Sequence, residues 1–308
     1  MTEEQRIKRI RAASTGCLFL TALIWGFAFV AQMSGTSTMG ALTFNGVRFV
    51  LGALALIPVT LLFEKGKSDK KERRDTLLYG AAAGTVLCLA ANLQQFGIDL
   101  THSPARAGFI TGLYMIVVPV AGIFLKRKTT VFTWIGALFA LCGLYVLSTG
   151  ESGGSVSKAD MTKGQLFLLA GVVFWAAHIL VVDGAGGKVR PLRFSMAQFW
   201  VCAIESLAVA AFTEDISVEG IMGGALPILY CGLLSVGVAY TLQVVGQRHV
   251  EPARASVIFS METLFSALGE ILLLHKFLPP VGYIGCALIF AGIIFAQLKP
   301  RQKAAKNF

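Results

Sequence analysis

Glu262 poses the sharpest chemical question in this sequence. It stands ten residues into an apolar run that opens at Pro252, about 15 Å along a helix, at a depth where hydrocarbon cannot solvate a carboxylate. A carboxyl group there suits two tasks, binding a cationic group or carrying a proton between two sides, which makes Glu262 the proton-coupling candidate. The plainer use is a structural hydrogen bond or an ion pair, for instance with Arg48. Tyr114 lies 148 residues earlier, equally deep in another apolar run. Trp25 and Trp175 are 150 residues apart and also sit mid-run, away from the interface where membrane tryptophans collect. Indoles at that depth suit an apolar cavity wall or a face for a cation, with close packing as the alternative. His178 follows Trp175 by one helical turn and falls on a neighbouring face.

Amides add hydrogen-bonding capacity. Asn92, Gln95 and Asp99 follow i, i+3, i+7 and share one helix face. Tyr240, Gln243 and Gln247 repeat that spacing 148 residues later. Such faces either line a polar cavity or bond to neighbouring helices; Asp99 and Gln247, at the ends, are expected to face water. The candidate substrate-binding set is therefore Trp25, Asn92, Gln95, Tyr114, Trp175, His178, Tyr240, Gln243 and Glu262. No catalytic set emerges. The histidines at 102, 178, 249 and 275 are scattered and form no HExxH spacing, so neither a metal site nor a cofactor is expected. There is no GxxxxGK[ST] phosphate loop for ATP hydrolysis. The six cysteines all fall within apolar runs and read as packing residues.

These residues must be carried by helices that cross a membrane. The 308-residue chain is 55% hydrophobic and 14% charged, too few charges to solvate the surface of a soluble domain of that size. Ten runs approach the roughly 20 apolar residues that a bilayer requires: 13–33, 41–63, 76–98, 104–125, 130–149, 164–182, 194–213, 220–246, 252–274 and 278–298. The first follows a basic segment but is too long for a typical signal core, so it reads as a retained span. Inside the ten runs only Arg48, Arg106, Glu205, Arg254, Glu262 and Glu270 carry charge. Of the 27 lysines and arginines, 21 fall in the N-terminus, the even-numbered loops and the C-terminus, against 3 in the odd-numbered loops. Positive charge stays cytoplasmic, which places both termini inside and accounts for the net charge of +10. The cluster from Lys65 to Arg74 reads as a topology anchor, and no nucleic-acid partner is expected.

The chain also repeats itself. Pro104-Ala105-Arg106-Ala107 recurs as Pro252-Ala253-Arg254-Ala255, and Arg48-Phe49 aligns with Gln198-Phe199. Gly143 matches Gly292 at nearly the same offset. The boundaries that follow are a first five-helix unit at 13–149, an extracytoplasmic linker at 150–163, a second unit at 164–298 and a basic cytoplasmic tail at 299–308. Five spans per copy, an odd number, force the second copy to enter from the opposite side. The fold class is thus all-α integral membrane, with ten transmembrane helices as two inverted-topology repeats, an arrangement suited to alternating access.

With Leu23-Ile24-Trp25-Gly26-Phe27-Ala28-Phe29, Arg48-Phe49 and the stretch from Gln243 through Pro252-Ala253-Arg254-Ala255 to Met261-Glu262, the sequence resembles the drug/metabolite transporter superfamily and its EamA-type ten-helix bacterial members. The resemblance covers roughly residues 13–298. It implies a secondary transporter of the cytoplasmic inner membrane, exporting a small amphipathic or amino-acid-like metabolite from a cavity between spans one, three, four, six, eight and nine. The expected partners are that small-molecule substrate and the lipid bilayer, with a homodimer left open. An integral-membrane enzyme, or a channel or scaffold without coupled transport, is the competing reading. Topology offers the first test. Reporter fusions within 150–163 should read periplasmic and fusions after Lys299 cytoplasmic; the same side for both would dismiss the ten-span arrangement.

Overall fold

The computed structural model describes residues 2–66, 68–126, 130–149, 157–277 and 280–297. Residues 150–156 of the expected linker and the whole tail at 299–308 lie outside these. In hydrocarbon each unpaired backbone N–H or C=O costs several kcal/mol, so a crossing segment must satisfy its own backbone, as a helix does. The described residues form helices throughout. In chain order they are α1 (Glu3–Gly35), α2 (Ala41–Phe63), α3 (Lys70–Thr101), α4 (Pro104–Thr111), α5 (Tyr114–Phe124), α6 (Val131–Thr149) and α7 (Lys158–Ala185). Then follow α8 (Pro191–Thr213), α9 (Val218–Gly223), α10 (Ala225–Leu229), a π-helical segment (Tyr230–Tyr240), α11 (Thr241–Gln247), α12 (Pro252–Phe259), α13 (Glu262–Leu274) and α14 (Pro280–Gln297).

Eight stretches are long and apolar enough to cross a membrane: α1, α2, α3, α4–α5, α7, α8, α10–α11 and α12–α13. Two shorter apolar helices, Val131–Gly143 and Pro280–Gly292, lie within α6 and α14. The chain is a multi-pass membrane protein.

Helix starts follow local chemistry. Thr2 and Gln5 make a reciprocal capping box on α1, while Asp69 and Ser157 cap α3 and α7. Pro104, Pro191 and Pro252 occupy first turns, where a missing N–H costs nothing. Two starts without a side-chain cap of their own, on α2 and α8, are served from elsewhere. Glu214, just past the end of α8, accepts from the backbone N–H of Leu42 and Thr43 at 2.9 and 2.8 Å. Glu64, just past the end of α2, accepts from Leu192 and Arg193 at 2.8 and 3.1 Å. Each helix therefore ends in the carboxylate that caps the other, which fixes α2 and α8 as an antiparallel pair.

Helices pack closely where small residues allow. A side chain at Gly84 would meet the Cβ of Val201 at 2.5 Å and the Gln198 carbonyl at 2.8 Å, and one at Gly80 would meet Ala197 at 2.7 Å. The Gly80-x-x-x-Gly84 pair is thus the contact of α3 with α8. The most extensive pairings are α6 with α14, α3 with α7, α2 with α8, and α3 with α8.

The reciprocal caps are measurable. Glu64→Ala and Glu214→Ala should each cost about 1–2 kcal/mol, the usual range for losing an N-terminal cap, in unfolding followed in detergent. Because the two carboxylates lie at opposite ends of the α2–α8 pair, the double variant should lose close to the sum.

Candidate functional site

Two of the membrane crossings are broken at repeat-equivalent positions. The helix that opens at Pro104 stops at Thr111, turns through Gly112 and Leu113, and resumes as α5 at Tyr114. The helix that opens at Pro252 stops at Phe259, turns through Ser260 and Met261, and resumes as α13 at Glu262. The turns are tight: Leu113 N–H donates to Ile110 O and Met261 N–H to Ile258 O, both at 3.1 Å. The first residues after the breaks meet, with the Tyr114 hydroxyl donating to Glu262 Oε1 at 2.8 Å. Both side chains are buried. Glu262 thus stands at the start of a half-helix, where the helix dipole favours negative charge.

The π-helical segment is a third irregularity, and it faces α1. Its carbonyls accept from side chains there: Thr21 Oγ1 donates to Ala239 O at 3.0 Å and Trp25 Nε1 to Ser235 O at 3.3 Å. Tyr230 returns a hydrogen bond from its hydroxyl to Ile24 O at 3.0 Å. Departures from α-helix at membrane depth are tolerated where protein or a cavity surrounds them, and π-helical turns favour functional sites.

All three irregularities border one cavity. It is a narrow slot of about 20 Å³, with clear passage only for something of water size. Trp25, Trp175 and Tyr240 form its aromatic side. The Trp25 ring lies 4.7 Å from Tyr240 and 6.3 Å from Trp175, and Trp175 and Tyr240 are nearly parallel at 14°. Gln32, Gln94 and Gln243 supply amides, and Tyr114 and Glu262 the hydroxyl–carboxyl pair. Both polar atoms of the Gln243 side chain and the Trp175 Nε1 lack a hydrogen-bond partner although buried. Such groups are costly unless something arrives to satisfy them.

Six of the nine candidate residues reach this cavity: Trp25, Tyr114, Trp175, Tyr240, Gln243 and Glu262. The other three are placed elsewhere. Asn92 ties three helices together, accepting from Asn45 Nδ2 at 2.7 Å and donating to Ser206 Oγ at 2.9 Å and Cys88 Sγ at 3.2 Å. Gln95 is bound to α1, donating to Gln32 O at 3.3 Å, and to Asp99 at 3.1 Å. His178 stands behind the aromatic wall, edge-on to Trp175 and Tyr240, with Nε2 2.8 Å from Gln198 Oε1. The ends of those faces do not simply meet water either. Gln247 is buried and donates to Ile179 O at 3.0 Å, and Asp99 accepts from Thr36 at 2.5 Å.

Sequence reasoning missed Gln32, Arg48, Gln94, Thr111 and Ser235, all on the cavity wall. Gln94 lies one residue from the face chosen on α3, so the amide-rich stretch was visible but its orientation was not. Arg48 is legible as a charge in an apolar run, but its place on the cavity wall is not. Glu262 makes no ion pair with it among the described residues.

Cysteine scanning separates wall from interior. In a chain freed of its native cysteines, replacements at Gln32, Gln94 and Gln243 should react with a small polar thiol reagent at least tenfold faster than replacements at Asn92 and His178. Equal rates in active variants would mean that the cavity is drawn wrongly.

The model of the EamA-like transporter family matches residues 15–149 and 162–297. An uncharacterized transporter of Archaeoglobus fulgidus is 29% identical over 291 residues, which cover 92% of this chain and 85% of that one. The uncharacterized transporter YwfM of Bacillus subtilis is 24% identical, covering 94% and 95%. A crystal structure of a protein with 20% identity superposes with a TM-score of 0.76, covering 93% of this chain and 96% of that one, a likeness of fold alone.

Proposed function

Because the chain belongs to the EamA-like transporter family, we propose that it is a secondary transporter and not an enzyme. It moves a small organic metabolite across the cytoplasmic inner membrane by alternating access. The observation that carries this reading is the meeting of the two helix breaks, Tyr114 against Glu262, on the wall of a cavity lined by aromatics and amides. Broken helices that converge on a membrane-embedded cavity are a recurring construction of secondary transporters.

In this reading α6 and α14 complete two units of five spans, and the units enter the membrane from opposite sides. The antiparallel clamp of α2 and α8, each capped by the other's terminal carboxylate, supports the inversion. The termini are cytoplasmic, following the distribution of basic residues, and transport runs outward. Substrate rests between Trp25, Trp175 and Tyr240 and takes hydrogen bonds from Gln243 and neighbouring amides. The narrow slot then corresponds to a constricted stage of the cycle, in which the aromatic side chains close around a small solute.

Glu262 is the coupling group. The Tyr114 hydroxyl satisfies one of its oxygens, while opening the cavity to either side would let a proton reach the other. The gain of a proton on one side and its loss on the other would tie the carboxyl's charge to the direction of access.

Reconstituted protein tests the reading. Counterflow across a panel of radiolabelled amino acids and related metabolites should identify a transported solute. Glu262→Gln should then abolish accumulation driven by a proton gradient while preserving exchange within about threefold. A folded Gln variant that still accumulates solute with unchanged pH dependence would remove Glu262 from the coupling role.

A further inference from the structure

The transport reading gives no task to Arg48. Its side chain is 2% exposed, yet it lies on the cavity wall. A guanidinium keeps its proton in any protein environment, so this is a permanent positive charge inside the membrane. Among the described residues no carboxylate forms an ion pair with it, and its Nε has no hydrogen-bond partner. Its neighbours are the rings of Phe44 and Phe49, 5.5 and 5.2 Å from the guanidinium carbon, and the Cys231 thiol. Contacts of that kind are weak beside the cost of burying an ion, which stays large even after relaxation. The acid on the same wall, Glu262, is bonded to Tyr114 instead.

The fold does not require a cation at this position. The repeat mate of Arg48 is Gln198, an equally buried amide bonded to His178. From Arg48 an apolar surface runs on: the Phe49 ring lies 6.0 Å from Tyr240, which lies 4.7 Å from Trp25. A planar cation with a free donor, beside a continuous aromatic face, has the form of a receptor for an organic anion. Carboxylates suit it best, because two oxygens match the guanidinium fork.

We propose that Arg48 is the anion anchor of the cavity, and that the substrate carries a carboxylate which forks onto Arg48 while its apolar body lies against Tyr240 and Trp25. In naming a substrate this rests on the transport reading; the binding of an anion at Arg48 does not.

The test uses the full chain in detergent with Trp134→Phe and Trp200→Phe, so that emission comes from Trp25 and Trp175. Quenching by iodide is compared with quenching by neutral acrylamide, and 3-phenylpropionate is compared with its carboxamide as competitor. The iodide-to-acrylamide quenching ratio should fall at least threefold in Arg48→Gln and be retained in Arg48→Lys. The acid should suppress iodide quenching at a concentration at least tenfold lower than the amide does. Arg48→Lys keeps the charge and loses the fork, so it should weaken the acid's competition at least fivefold, and it carries the test if the Gln variant does not fold. An iodide ratio unchanged in folded Arg48→Gln, no iodide quenching at all, or equal competition by acid and amide would overturn the anchor. None of these readouts needs transport. A chain that binds the acid and moves no solute would sink the transport reading and leave the anchor, and a chain that transports only neutral or cationic solutes would do the reverse.

Discussion

Hydrocarbon offers no hydrogen bonds, and the arrangement of this protein follows from where its polar groups find partners instead. The backbone meets the constraint by being helical across every described crossing. Helix ends meet it by capping. At α2 and α8 the caps come from carboxylates on the far end of the partner helix, so that satisfying four N–H groups also sets the direction of the pair. Side chains meet it by interhelical bonds such as those of Asn92, which join α2, α3 and α8 through a single amide. Some buried polar atoms stay unsatisfied after this accounting, and part of them lie on the cavity wall. Gln243, Trp175 and Arg48 keep free donors there, and a solute is the natural partner for them.

The same constraint explains where regular helix gives way. The breaks before Tyr114 and Glu262 and the π-helical segment all border the cavity. Away from it, a break would expose backbone to lipid. At the cavity the freed carbonyls of the π-helical segment accept from Thr21 and Trp25, and the half-helix that begins at Glu262 directs its N-terminus inward. Irregularity of this kind also supplies places where a helix can flex without losing its hydrogen bonds.

A repeated scaffold here carries unlike chemistry in its two copies. Tyr114 and Glu262 occupy matched positions, but one is a hydroxyl donor and the other its carboxyl acceptor. Arg48 and Gln198 are matched as well, yet the guanidinium faces the cavity while the amide is bonded to His178 behind the aromatic wall. The repeat thus sets the order of the helices, and the departures from it give the cavity a positive side and an acidic side. An asymmetric site within a symmetric frame can orient a solute with two different ends.

Much of this was legible in the sequence because hydrophobicity and depth are properties of the chain alone. Apolar runs marked the crossings, a nearly constant offset exposed the repeat, and a carboxylate or indole ten residues into a run had to be buried whatever surrounded it. Helical periodicity also showed which residues share a face, but not which neighbour that face would meet. In a membrane helix surrounded by protein, an amide can be satisfied equally by a cavity or by the next helix, so Asn92 and Gln95 went to interfaces and Gln94 to the cavity. The π-helical segment broke the equivalence further. Bonding i to i+5 turns every later side chain relative to an α-helix, and Tyr240, at the end of that segment, reaches the cavity while Asn92, its repeat mate, does not. The position of Arg48 was decided in the same way. Its charge and depth are legible in the sequence, but only the packing of α2 against α8 and the π-helical segment leaves it without an ion-pair partner among the described residues.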